Sequence, residues 1–147
     1  MRTAPWTWVL LLAVAVAGLA AKRYAFEATW YLNRSLAYLR TLHFSQWESP
    51  HFTVRYPRGC EEDARLVLAA AEHFYPLVNR DFGGRLPGKN LIILVDRFSD
   101  DQTMGLYSRG VIEVLAPSRW LPAAERAPTF YSEGPVAHEL THLAVDL

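Results

Sequence analysis

An almost uniformly apolar run opens the chain and sets its first 21 residues apart from the rest. The run extends from Trp8 to Ala21 after a basic start and, counted back to Ala4, comprises 18 residues, a length between that of a signal-peptide core and that of a membrane-spanning helix. A buried core helix is a poor alternative, because the run is apolar on every face and lies at the terminus. Residues 1–23 are therefore predicted to be a signal peptide or a membrane anchor.

The charges around this run leave its orientation open. Lys22, Arg23, Arg34 and Arg40 follow the run, whereas only Arg2 and the terminal amine precede it. By itself, the positive-inside rule would keep the following domain in the cytoplasm. A cleaved signal or a strong secretory preference would place it outside. We expect a membrane-anchored or exported protein whose domain is extracytoplasmic.

Residues 24–48 are predicted to be an amphipathic juxtamembrane helix or linker. Their apolar stripe has helical spacing and consists of Ala25, Ala28, Leu32, Leu36 and Leu39. The aromatic residues of this segment suit a membrane interface. Packing of the helix on the following domain accounts for the stripe equally well, and the sequence does not decide between the two.

From residue 49 onward, strand-like and helix-like patterns alternate. Alternating or continuously apolar stretches predict three strands, His51–Tyr56, Asn90–Asp96 and Val111–Pro117. A helical apolar face predicts one long helix over Glu61–Arg80, and the polar stretch Arg97–Gly110 predicts a loop. This order predicts an α+β fold for residues 49–147, with a small mixed sheet packed against helices.

Composition narrows the possible partners. Lysine and arginine total 15, and so do aspartate and glutamate. Because no basic stripe is present, nucleic acid is not expected as a partner. Cys60 is the only cysteine, which excludes an internal disulfide and a cysteine-based metal motif.

The chemistry of the chain is concentrated in its last stretch, GPVAHELTHLAVDL, from Gly134 to Leu147. Pro135 suits the first position of a helix, since it has no N–H to leave unpaired. His138 and His142 then lie on one face of that helix. The opposite face is apolar and consists of Val136, Leu140, Leu143 and Leu147.

Two imidazoles four residues apart on a helix can reach the same metal ion. The spacing of His138 and His142 suits one tetrahedral Zn²⁺, although imidazole also suits other transition metals. Glu139 lies beside the pair, where it can take a proton from metal-bound water. The motif therefore predicts a zinc hydrolase site.

This stretch resembles the active-site helix of the gluzincin peptidases. The upstream segments SPHFTVRYP, HFYPLVNRDFGG and KNLIILVD resemble bacterial peptidase MA-like proteins, many of which carry an N-terminal anchor. The resemblance implies a zincin-like N-terminal half that ends just after the motif helix. It also implies that His138 and His142 bind one Zn²⁺ ion and that Glu139 is the general base for hydrolysis of a peptide or protein substrate.

In the family, the strand before this helix usually edges the cleft and pairs with the substrate backbone. The resemblance gives that role to the residues Val111, Ile112, Glu113, Val114 and Leu115. The third zinc ligand of the family is a glutamate on a later helix, for which this chain has no counterpart. Glu133, Glu113 and His73 are alternatives without a positive argument in their favour.

Two hypotheses from different classes follow. The first is a membrane-associated zinc metallopeptidase of endopeptidase or aminopeptidase type, present here as a fragment that lacks the third ligand and is inactive alone. The second is a non-catalytic, membrane-anchored binding or scaffold module. An intramembrane protease is disfavoured, because the residues around the motif are not a long apolar span.

Overall fold

The computed structural model describes residues 5–98, 104–122 and 134–146. These residues form three α-helices, five β-strands and a single 3₁₀ turn at Pro117–Arg119. The helices are α1 (Pro5–Arg40), α2 (Glu61–Asp81) and α3 (Pro135–Val145). The strands are β1 (Ser45–Glu48), β2 (Phe52–Tyr56), β3 (Asn90–Val95), β4 (Gly105–Ser108) and β5 (Val111–Leu115). The predicted α+β class with a mixed sheet is confirmed.

The strands form one sheet in the order β1-β2-β3-β5-β4. The three central strands β2, β3 and β5 are parallel, whereas β1 and β4 pair antiparallel with their neighbours. Both edges therefore carry a short strand that the sequence did not predict. Ser45–Glu48 lies in the segment predicted to be a helix or linker, and Gly105–Ser108 lies in the predicted loop.

Helices cover both faces of this sheet. Ile92 and Leu94 of β3 face α2 and α3 in the larger apolar core, whereas Leu91 and Ile93 face α1 in a smaller cluster with Ala37. Because successive side chains of a strand point to opposite faces, burial on both sides explains the unbroken apolar run of β3. The motif helix α3 thus packs on one face of the sheet, and the part of α1 around Ala37 packs on the other.

Helix α1 docks on the domain through a face that its apolar stripe did not predict. The stripe side chains Leu32, Leu36 and Leu39 are each exposed. The side that meets the sheet carries Ala37, which is buried, and Trp30, which packs against the core. Packing on the domain is therefore observed, but not through the predicted stripe.

The structure bears on the N-terminal prediction in one respect. In the part of the chain that the structure describes, no helix is apolar over a length sufficient to cross a membrane. The signal peptide or anchor at residues 1–23 stays a prediction.

Candidate metal centre on helix α3

Local sequence fixes where the motif helix begins and which side it buries. Gly134 is extended at φ −100° and ψ −156°, and Pro135 opens the helix directly after it. Val136, Leu140 and Leu143 are buried against the core, at no more than 2% exposure. The predicted apolar side is therefore confirmed for these three residues, while Leu147 lies outside the described residues.

The two histidines of the motif meet on the exposed side of α3. Their Nε2 atoms are 3.0 Å apart, and the centroids of the two rings are 4.7 Å apart. Two nitrogens that each bind a tetrahedral zinc ion at about 2.0–2.1 Å lie about 3.3 Å from one another. A shift of a few tenths of an ångström would bring His138 and His142 to that separation, so the pair fits a shared metal ion.

Glu139 occupies a different environment from its neighbours, since its side chain is only 5% exposed. Burial raises the pKa of this carboxyl, and the lowering effects of the two histidine charges and of a hydrogen bond from the Tyr107 backbone N–H do not cancel it. A raised pKa makes the ionised carboxylate a stronger base. The motif thus places a buried carboxylate between two exposed imidazoles.

The strand next to Glu139 is β4, not β5. Strand β5 pairs with β3 on one side and with β4 on the other. The expectation that Val111, Ile112, Glu113, Val114 and Leu115 form the edge strand that receives substrate is therefore wrong for the described sheet. Their backbone groups already bond to two neighbouring strands, and a further strand would have to displace one of them.

Along β4, the backbone N–H and C=O groups of successive residues point alternately towards β5 and away from it. We call the side that faces away from β5 the outer edge of β4. The Leu115 N–H donates to the Met104 carbonyl at 2.9 Å, which fixes the phase of the ladder. By the antiparallel alternation, Leu106 and Ser108 then bond to β5, whereas the backbone groups of Gly105 and Tyr107 point to the outer edge. Sequence reasoning missed this strand and its position beside α3.

Tyr107 also links the β4–β5 turn to the end of the motif helix. Its hydroxyl accepts a hydrogen bond from the Gly110 N–H at 3.0 Å and donates one to the Asp146 carboxylate. Burial, followed by Asp146, raises the pKa of the Tyr107 phenol. Both residues of the turn, Arg109 and Gly110, have positive φ, as in the two-residue turns that connect the strands of a β-hairpin. The glycine at position 110 is the sequence signal for such a turn.

The alternatives for a third ligand separate clearly in space. Glu113 lies on the α1 side of the sheet and pairs with Arg40 at 2.6 Å, so the sheet separates it from α3. His73 is an exposed residue of α2 whose ring contacts Phe74. Glu133 lies outside the described residues. Among residues 5–98, 104–122 and 134–146, no three histidine, cysteine or acidic side chains form a metal-binding group.

An open cavity of about 700 Å³ lies beside the site, between α1 and the C-terminal end of α3. Its lining includes Lys22 and Trp30 of α1, together with Asp146 at the end of α3. The motif residues are not part of that lining, so the chemistry expected from the motif lies outside this cavity.

Comparisons with known proteins add no assignment. The chain matches no protein-family model, and a search of the curated proteins returns no match either.

Proposed function

We propose that this chain carries the metal-binding and general-base residues of a membrane-associated zinc metallopeptidase. The observation that supports this most is the arrangement on α3, where the Nε2 atoms of His138 and His142 lie 3.0 Å apart and the intervening Glu139 is buried. A structural role alone does not require two exposed imidazoles to face each other. The association with a membrane would come from residues 1–23.

In this proposal His138 and His142 hold the zinc ion. A zinc ion bound there would lower the pKa of a water molecule and polarise a peptide carbonyl. Catalytic zinc sites take three protein ligands, so the proposal requires a third ligand from outside the described residues. Glu139 takes the proton of the attacking water, a role that its raised pKa favours.

The outer edge of β4 would orient the peptide. Gly105 presents its N–H and carbonyl there and Tyr107 its carbonyl, whereas the Tyr107 N–H is already donated to Glu139. An extended peptide that added to this edge by strand pairing would pass directly beside the general base. The substrate strand would thus be β4, which replaces the role first expected of β5.

The test combines metal binding with hydrolysis in the full 147-residue chain. Zinc binding is measured by calorimetry, and peptide hydrolysis is measured with a fluorogenic protein substrate. We expect His142→Ala to abolish zinc binding and His73→Ala, which removes an exposed histidine of α2, to leave it unchanged. We expect Glu139→Gln to keep zinc binding and, wherever a third ligand completes the site, to lower hydrolysis by about 100-fold or more.

The outcomes separate the hypotheses. Zinc-dependent hydrolysis that Glu139→Gln removes supports the proposal. Zinc binding without such hydrolysis is the result expected of a fragment that lacks its third ligand and equally of a non-catalytic binding module. Failure to bind zinc would contradict both the metal site and the peptidase.

A further inference from the structure

We propose that Gly105 is the positioning residue for Glu139. The absence of a side chain at position 105 leaves the space through which the Glu139 carboxylate reaches the outer edge of β4. The importance of this position for hydrolysis rests on the proposed function, whereas the physical coupling between the two residues does not.

The first observation is steric. A Cβ atom at Gly105 would lie 2.9 Å from both Cγ and Oε1 of Glu139 and 3.2 Å from its Cδ. Contacts this short with Cγ cannot be relieved by rotating the carboxylate alone. The Glu139 side chain is only 5% exposed, so the surrounding core also restricts its alternatives.

The second observation is that backbone conformation does not require glycine here. Gly59, Gly83, Gly84 and Gly110 have positive φ angles, whereas Gly105 does not. An L-residue would therefore fit the backbone of β4 at position 105. Its side chain would instead overlap the space that the Glu139 side chain occupies.

The third observation is the hydrogen bond from the Tyr107 backbone N–H to Glu139. Gly105 and Tyr107 are two residues apart on β4, so their polar groups point to the same outer edge. Glu139 is thus located at two points of one strand, by contact at Gly105 and by hydrogen bonding at Tyr107. A side chain at position 105 would push the carboxylate away from both.

Displacement of this kind matters for a general base, because proton transfer requires hydrogen-bond reach. A misplacement of about 1 Å can lower a catalysed rate by roughly 100-fold. Gly105→Ala is therefore expected to lower Glu139-dependent hydrolysis while the His138 and His142 pair keeps its zinc affinity. That separation would not arise from a general loss of folding.

The decisive experiment is a double-mutant cycle on unfolding, which needs no activity. Gly105→Ala is introduced into the wild-type chain and into the Glu139→Ala variant, and the unfolding equilibrium constant is measured in urea. We expect Gly105→Ala to raise that constant by roughly tenfold more when Glu139 is present than when it is absent. Gly88→Ala is the matched control, since a Cβ there meets no atom within 4 Å and φ is not positive.

Amide hydrogen exchange gives a second readout at Tyr107. Its N–H points to the outer edge of β4, so its protection depends on the hydrogen bond to Glu139. We expect exchange at Tyr107 to accelerate in Gly105→Ala and in Glu139→Ala, and to be unchanged in Gly88→Ala.

Equal effects of Gly105→Ala in both backgrounds, or unchanged exchange at Tyr107, would overturn the inference. If Gly105→Ala alone does not fold, the inference requires the double variant with Glu139→Ala to fold, and failure of that variant would also overturn it. A wild-type chain that shows the coupling but binds no zinc would contradict the proposed function alone. A chain that hydrolyses peptides without the coupling would contradict this inference alone.

Discussion

The indole ring of Trp30 lies directly against Gly110, where a Cβ atom would approach the ring to 2.5 Å. Arg34, one turn further along α1, donates to the Gly110 carbonyl at 3.3 Å. The turn between β4 and β5 is therefore held by α1 on one side and, through Tyr107 and Asp146, by α3 on the other. The second half of α1 is an integral layer of the domain and not only a connection to the N-terminal run.

Trp30→Ala is expected to lower the free energy of unfolding by about 2 kcal/mol. This is less than the loss for a fully buried tryptophan, because Trp30 is only partly buried. Urea unfolding followed by circular dichroism measures the change. Tyr31→Ala is the matched control on the same helix, since its side chain is 69% exposed and its removal is expected to change stability by less than about 0.5 kcal/mol. Equal losses in the two variants would show that Trp30 does not dock α1.

The helices and strands that the sequence predicted correctly are those whose apolar pattern fits only one type of element. Strand β3 is apolar at nearly every position because helices cover both faces of the sheet, and α2 and α3 each carry one apolar side. Such local patterns do not depend on which element lies opposite, so the sequence suffices to predict them.

The missed features depend on relationships that the sequence does not express locally. Strand β1 is exposed at all four positions and β4 has only four residues, so neither shows a clear apolar period. The position of β4 outside β5 is a matter of strand order, which cannot be read from either strand. Helix α1 has apolar residues on two sides, and only the sheet selects the side with Ala37 over the side with Leu36.

The candidate site likewise contains one feature that the local sequence predicts and one that depends on the fold. The meeting of His138 and His142 follows from helical spacing alone, and the sequence predicted it. The burial of Glu139 under Gly105 and Tyr107 depends on a strand that is about thirty residues away in the chain. A contact of this kind requires the fold.

Zinc is expected to stabilise the folded chain through the histidine pair. At a free zinc concentration 100-fold above the dissociation constant, the free energy of unfolding should rise by about 2.7 kcal/mol. His138→Ala and His142→Ala should each remove this increment, since each leaves only one imidazole of the pair. Thermal unfolding with and without zinc measures the effect. Loss of the increment in His73→Ala as well would indicate binding elsewhere in the chain.

Asp63 is expected to be important for stability, because it is 4% exposed and bonds to a distant segment. Its two carboxylate oxygens accept hydrogen bonds from the N–H and the hydroxyl of Ser118, at 2.8 Å and 2.6 Å. Asp63→Ala removes both of these hydrogen bonds and should lower the free energy of unfolding by about 2 kcal/mol. Chemical denaturation measures the loss.

The control for Asp63 is Glu61→Ala. Glu61 also lies in the first turn of α2 but is exposed. It shares the favourable interaction with the helix dipole, and its carboxylate accepts an exposed hydrogen bond of 3.3 Å from the Gly59 N–H but none from Ser118. Its removal should lower the free energy of unfolding by at most about 1 kcal/mol. A loss as large as that of Asp63→Ala would assign the effect to the dipole and not to Ser118.

Stability is expected to fall at acid pH through Glu72, which ties the β1–β2 connection to α2. Glu72 Oε2 lies 2.7 Å from His51 Nδ1, and its other oxygen accepts from the His51 N–H at 2.9 Å and from the Ser49 hydroxyl. Burial raises the pKa of this carboxyl, but the hydrogen bonds from His51 and Ser49 together outweigh burial and hold the pKa below its usual value.

Because the folded-state pKa of Glu72 is the lower one, its contribution is fully present above the unfolded-state pKa of about 4.3. It is lost as the pH falls through the folded-state pKa. Urea unfolding between pH 7 and pH 3 should therefore show that wild type and Glu72→Gln differ at neutral pH and converge at acid pH. Glu62→Gln, whose side chain is 85% exposed, should stay within about 0.5 kcal/mol of wild type throughout. A constant difference between wild type and Glu72→Gln across this range would contradict the role of the ionised carboxylate.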